Sequence, residues 1–321
     1  MDRREHKGGT GYREPRGRCG NTVSWRDKAM IRKIQSEYLI AEINELGAEL
    51  FSLKSKRDGT EYLWQGNPEY WPGRSTVLFP ICARLYEGRY FYRGKEYEMP
   101  IHGIAKLFEF HSEKNGDSEI SLTLKSSPET KSYYPFDFEF AVRYSLNGNE
   151  LKTEFEVKNT GCEVMYFSYG GHPGFNVPFS PGESFEDYYL EFEREELTRL
   201  LFSESCFYTG RTEKYPIRDK KLPLRHALFD NDAIFFESEA EKVRLKSRLS
   251  KRHIEVSYGG MTSLGLWHKP KSDAPYICIE PWHGIPSLDG VADDFEKKAQ
   301  MIALNVNKSY KNSYKIKIFE E

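Results

Sequence analysis

Between residues 138 and 157, apolar side chains recur at every second position. Phe138, Phe140, Val142, Tyr144 and Leu146 precede Asn147-Gly148, and Leu151, Thr153, Phe155 and Val157 follow it. A period of two puts alternate side chains on one face of an extended chain, and Asn-Gly favours the positive φ that tight hairpin turns require. The segment therefore predicts a hairpin with one buried and one wetted face, which is stable only within a larger sheet. Runs of the same period recur at residues 119–125, 187–193, 243–249, 254–258 and 314–319. Helical periodicity is scarce, and single helical turns are expected only at residues 67–71 and 293–298. Many short strands punctuated by Gly and Pro predict an all-β fold, a large antiparallel β-sandwich with roughly half the residues in strands.

No linker and no fixed-period repeat interrupts the pattern after Met30, so residues 30–321 read as one domain. The preceding 29 residues carry eight Lys or Arg against four Asp or Glu, five glycines and almost no aliphatic side chains. Such a stretch cannot contribute to a core, and a disordered basic extension ahead of a start at Met30 is expected. A formal net charge of -2 argues against a nucleic-acid surface. The longest apolar run, residues 77–83, falls far short of the ~20 residues a membrane helix needs. The five cysteines, Cys19, Cys82, Cys162, Cys206 and Cys278, are scattered and odd in number, the pattern of reduced thiols in a cytoplasmic protein.

Two stretches organise the polar chemistry: SYGGHPGFNVP at residues 168–178 and ICIEPWHGIPS at residues 277–287. Each begins as an extended run and breaks at Gly or Pro, which places His172 and Glu280 where strands are expected to open into loops. A histidine that donates a proton and a glutamate that accepts one are the two parts of a proton shuttle. Arg84 follows a buried-looking run and either snorkels to water or is held in a pocket. His102 lies between Pro100 and Gly103, where turn histidines are common. Trp267, Trp282 and Phe175 offer rings that could form an apolar platform for a ligand, although core packing is the more common fate of such rings. Cys82 and Cys278 read as small packed hydrophobes, and His268 and His283 as packing or surface residues. The eight histidines contain no His-x-His or His-x₃-His spacing, so a zinc site is not expected.

The set GAEL (residues 47–50), LFPICAR (78–84), PIHGIAK (100–106), GGHPGFNVP (170–178) and IEPWHGI (279–285) resembles the aldose 1-epimerase, or galactose mutarotase, superfamily, nearest its LacX-like branch. The resemblance covers nearly the whole chain after Met30 and implies a single large antiparallel β-sandwich. It also implies interconversion of sugar anomers, with Glu280 as base, His172 as acid, and Arg84, His102 and an aspartate holding sugar oxygens. Asp232 matches that aspartate in context, with Asp230 the alternative. A neighbouring carboxylate is expected to raise the pKa of His172, giving a bell-shaped pH dependence.

The segment Pro281-Trp282-His283 departs from the well-characterised mutarotases, and Lys106 stands where arginine is frequent among relatives. These departures keep hexose 6-phosphates open as substrates, with Arg74, Arg84, Arg89 and Lys106 as a phosphate clamp. A non-catalytic carbohydrate-binding protein is a further alternative, as is a glycosidase, for which Asp232 would be the second carboxylate. The expected partner is a small sugar or sugar phosphate, taken up by a monomer or homodimer that binds neither nucleic acid nor membrane.

Overall fold

The computed structural model describes residues 30–320. The predicted basic extension lies outside the described residues.

Two antiparallel sheets dominate. The larger has nine strands in the order Lys221–Pro223, Tyr188–Phe192, Lys242–Ser247, His253–Ser257, Ser309–Phe319, Glu150–Asn159, Phe138–Asn147, Glu119–Lys125 and His111–Asn115. The predicted hairpin forms its centre, Phe138 to Asn147 pairing with Asn159 to Glu150. Its turn falls one residue later than expected, on Gly148 and Asn149. Gly148 has a φ of 57°, in keeping with a two-residue turn that takes glycine first. Even-numbered residues of Phe138–Asn147 are buried and odd ones half-exposed. The wetted face carries cross-strand ion pairs such as Arg143–Glu154 at 3.0 Å and Arg244–Glu255 at 2.7 Å.

The second sheet has seven strands, in the order Tyr208–Pro216, Glu196–Phe202, Ile234–Glu237, Ser263–Trp267, Tyr276–His283, Tyr169–Asn176 and Ser75–Leu78. Inward side chains of both sheets join one core, with Phe140, Val142 and Phe155 on one side and Phe175, Ile277 and Ile279 on the other. Each fully buried Phe or Ile there stabilises the fold by ~1.5–3 kcal/mol. Smaller sheets, Ile31–Gln35 with Leu39–Asn44 and Glu49–Ser55 among them, flank the pair. Among the described residues no helix is long and apolar enough to cross a membrane.

Two local expectations change. Residues 67–71 form a reverse turn, closed by Tyr70 N–H donating to the Asn67 carbonyl inside an antiparallel Asn67–Trp71 bridge, rather than a helical turn. Among the described residues the α-helix is Pro128–Tyr133, which lacks an apolar periodicity; it is started by a capping box between Ser127 and Thr130 with Pro128 in its first turn. Residues 293–298 do contain a single turn, the Asp294 carbonyl accepting from the amides of Lys297 and Lys298.

Candidate active site

Glu280 and His172 lie in the middle of strands, not at strand ends. Tyr276–His283 and Tyr169–Asn176 are adjacent, and each is buried at seven of its eight positions. One face of each meets the core between the sheets; the other faces a cavity. The pairing Gly170–Trp282 and Gly174–Cys278 sets His172 across from Glu280. Between those rungs the ladder lapses, and the interval contains Pro173 and Pro281, neither of which has an N–H to donate. The strands continue while their hydrogen bonding to each other pauses, and Gly and Pro produce this pause rather than a loop.

Within the gap, His172 Nε2 and Glu280 Oε2 are 3.3 Å apart, with side chains 8% and 2% exposed. Trp71 lies over His172 with ring centroids 4.8 Å apart, and Trp267 meets the Trp71 ring edge-on at 5.7 Å. Small residues in the sheet make room for these rings. A methyl group at Gly170 would come within 2.7 Å of the Trp282 ring, one at Gly174 within 3.0 Å of Trp71, and one at Gly265 within 2.7 Å of Phe235.

Loops supply the other polar groups. His102 occupies a turn at a φ of 66°, and its Nδ1 accepts from the Ala83 N–H at 3.2 Å. A neutral His102 ring therefore carries its proton on Nε2, and the ring meets His172 edge-on at 5.2 Å. Asp232 follows the turn His226–Phe229 and accepts from the Trp267 indole N–H at 2.8 Å. Its other oxygen faces Arg84 Nη2 at 3.7 Å.

A cavity of about 240 Å³ has Arg84, His102, His172, Asp232 and Glu280 in its wall, so the fold gathers all five residues singled out in the sequence. Asp230 is not part of the lining; it acts electrostatically on His268 instead. Trp267 and Trp282 line the cavity, whereas Phe175 points into the core between the sheets. Trp71, Asn231, Phe202 and Phe235 are among the further wall residues that had not been singled out. Trp71 had one available signal, its place directly before the turn pair Pro72-Gly73 in the same stretch as Arg84.

Burial decides the electrostatics of the pair. Loss of hydration pushes His172 down to about 3, and Lys106 adds to the effect, so the expected rise does not occur. Burial, with Asp232 nearby, holds Glu280 well above the usual carboxylate range. His102 is likewise lowered, by burial first and by His172 second. Burial thus disfavours both charged forms, the imidazolium of His172 and the carboxylate of Glu280.

The phosphate clamp does not assemble. Arg74 is held by the Phe51 carbonyl at 2.8 Å and Gln65 at 2.9 Å, and Arg89 pairs with Glu96 at 2.6 Å, both outside the cavity wall. Lys106 borders an adjoining cleft with Arg74. Cys278 is packed with Trp64 and Tyr276, and Cys82 with Leu78 and Trp282, as small hydrophobes. His172, Cys278 and Glu280 do offer donor atoms within 4.8 Å of one another, a grouping that sequence spacing did not reveal. Burial pushes the Cys278 thiol well up, and a protonated thiol is a poor metal ligand.

Residues 31–317 match the sequence model of the aldose 1-epimerase family. The chain belongs to the aldose 1-epimerase family. It is 34% identical over 301 residues to the plasmid-encoded LacX protein of Lactococcus lactis subsp. lactis, covering 90% of this chain and 99% of that one. Among solved structures it resembles a galactose mutarotase related enzyme from Lactobacillus acidophilus, with a TM-score of 0.87 and 34% identity over 91% of this chain and 98% of the other. A galactose mutarotase-like protein from Lactobacillus casei superposes with a TM-score of 0.85 at 29% identity, covering 90% of this chain and 100% of the other. The aldose 1-epimerase resemblance read in the five motifs is borne out, as is its LacX-like placement, and so is the antiparallel β-rich fold.

Proposed function

We propose that this aldose 1-epimerase family member interconverts the α and β anomers of a free hexose or related sugar, with Glu280 as base and His172 as acid. The observation that carries the reading is the buried 3.3 Å contact between these two groups in a cavity large enough for a small molecule.

Opening a pyranose removes a proton from the anomeric hydroxyl and delivers one to the ring oxygen; closure after rotation of the aldehyde reverses both transfers. Where Glu280 holds the proton of the pair, it becomes a base by passing that proton to His172. That single transfer creates the carboxylate and the imidazolium that the two steps require. Substrate hydroxyls entering the cavity stabilise the charged pair by replacing part of the lost hydration. Asp232 and Arg84 hold sugar oxygens, the neutral His102 offers Nε2–H as a donor, and Trp71 and Trp267 supply apolar faces for the ring. General acid and base groups of this kind each accelerate a reaction by about 10²- to 10⁴-fold.

An unphosphorylated substrate fits better than a hexose 6-phosphate, because Arg84 alone of the four candidate cations lines the cavity and it already faces Asp232. Exchange spectroscopy between anomers, on a panel of aldoses and their 6-phosphates, tests the proposal. Accelerated exchange of a free aldose is expected. Sugar binding without accelerated exchange would reduce the protein to a carbohydrate binder, and cleavage of chromogenic glycosides would overturn the proposed chemistry.

A further inference from the structure

The cavity wall that carries Arg84 is tied to a buried charged cluster behind it. Ser287, fully buried, closes the second of the two organising stretches. Its N–H donates to the Arg84 carbonyl at 3.1 Å, and its Oγ accepts from the Tyr86 N–H at 2.9 Å, so one residue grips the backbone on both sides of Leu85. Its carbonyl accepts from the Tyr208 N–H at 3.0 Å, which ties in a third segment of the rim. The Ser287 hydroxyl proton goes to Asp293 Oδ2. That carboxylate oxygen also faces Lys298 Nζ at 3.5 Å, where the lysine side chain is 2% exposed.

A buried ion pair is weak evidence for stability, because the desolvation of both groups offsets their attraction. Its geometric consequence is clearer. With Asp293 accepting the hydroxyl proton, the Ser287 Oγ has its lone pairs free for the Tyr86 amide. Arg84 is otherwise lightly held: its side chain is 36% exposed, and its 3.7 Å contact with Asp232 is too long for a hydrogen bond.

We infer that Ser287, Asp293 and Lys298 form a positioning relay that fixes Arg84 at the cavity wall and thereby sets sugar affinity rather than the rate of proton transfer. The inference rests on the proposed role of Arg84 in holding a sugar oxygen.

A double-mutant cycle tests it. With D-galactose and D-glucose as probes, anomer-exchange kinetics are measured for wild type, Ser287→Ala, Arg84→Met and the combined variant. Loss of the hydroxyl is expected to raise KM about five- to tenfold while kcat stays within about twofold. In the Arg84→Met background the same substitution should add nothing further to KM. A smaller rise, about twofold, is expected for Asp293→Asn, which keeps an acceptor for Ser287 but unpairs Lys298, and it too should vanish without Arg84. It also serves where Ser287→Ala fails to fold. Effects that multiply with Arg84→Met, or that appear in kcat and not KM, would overturn the relay. If the wild type accelerates neither sugar, the anomer-exchange reading fails, and the same cycle scored on D-galactose Kd by calorimetry decides the relay separately.

Discussion

The two large sheets solve different problems. In the nine-stranded sheet every strand of the central hairpin alternates buried and half-exposed residues, and ion pairs cover its wet face. In the seven-stranded sheet the adjacent strands Tyr169–Asn176 and Tyr276–His283 are buried on both faces, one toward the core and one toward the cavity. The first sheet tolerates charge because water solvates it. The second carries an imidazole and a carboxyl with almost no water access, and their protonation shifts accordingly. A doubly covered sheet is therefore the part of this fold that can tune acid and base groups, while the other supplies the backing.

The comparison is tested most severely at the buried pair. Glu280→Gln and His172→Asn are each expected to lower anomer exchange by about 10²- to 10⁴-fold with thermal unfolding little changed. The pH profile sharpens the point. The working state holds one proton on the pair, and it is lost when a second proton binds or the last one leaves. With His172 pushed down to about 3, a second proton binds only in strong acid. With Glu280 held well above its usual range, the last proton leaves at a higher pH than it would from an ordinary carboxyl. Activity should consequently persist from pH 7 to pH 5, and an acid limb centred near the ordinary histidine value of ~6.5 would contradict the burial argument.

Next in size are the glycines. Gly170→Ala in the doubly buried sheet forces a methyl group against Trp282 and the Pro281 carbonyl, 2.8 Å away, and should cost ~2–3 kcal/mol in chemical denaturation together with activity. Gly148→Ala at the hairpin turn meets no atom within 4 Å and pays only for its φ of 57°, ~1 kcal/mol, with activity intact. Equal losses at the two sites would erase the distinction between the sheets.

Acidification gives a broader effect. His102 and His268, lowered by burial, the latter to about 4, are neutral in the folded protein but charge in the unfolded chain below ~6.5. The unfolded state then binds more protons, so their contribution to stability is complete above that pH and is lost progressively toward the folded values. Melting temperature should fall between pH 7 and pH 5. The smallest change is expected on the wet face, where Arg143→Ala removes contacts with Glu154 and Glu119 yet should cost under ~1 kcal/mol.

Legibility in the sequence follows the same division. One-sided burial leaves a period of two, and Phe138 to Val157 announced their strands and partner register to within one turn residue. Two-sided burial erases that period, so Gly170, Gly171 and Pro173 looked like the start of a loop although the strand runs through them. Arg84, His102, His172 and Glu280 were singled out in motifs that carry the family resemblance and Asp232 through its sequence context, and all five line the cavity. Trp71, Phe202 and Phe235 were not, since an aromatic residue in a cavity wall has the same local surroundings as one in a core. The direction of the His172 shift was misjudged for a related reason: a partner in sequence motifs is visible, whereas the loss of hydration exists only after folding.

The missing side chains at Gly170, Gly174 and Gly265 carry one more consequence. Because the aromatic walls of the cavity rest directly on main chain at these positions, its depth is set from beneath by the absence of a methyl group. Trp71, held off Gly174 in this way, also lies over His172, so pocket shape and the environment of the buried pair are coupled in this architecture.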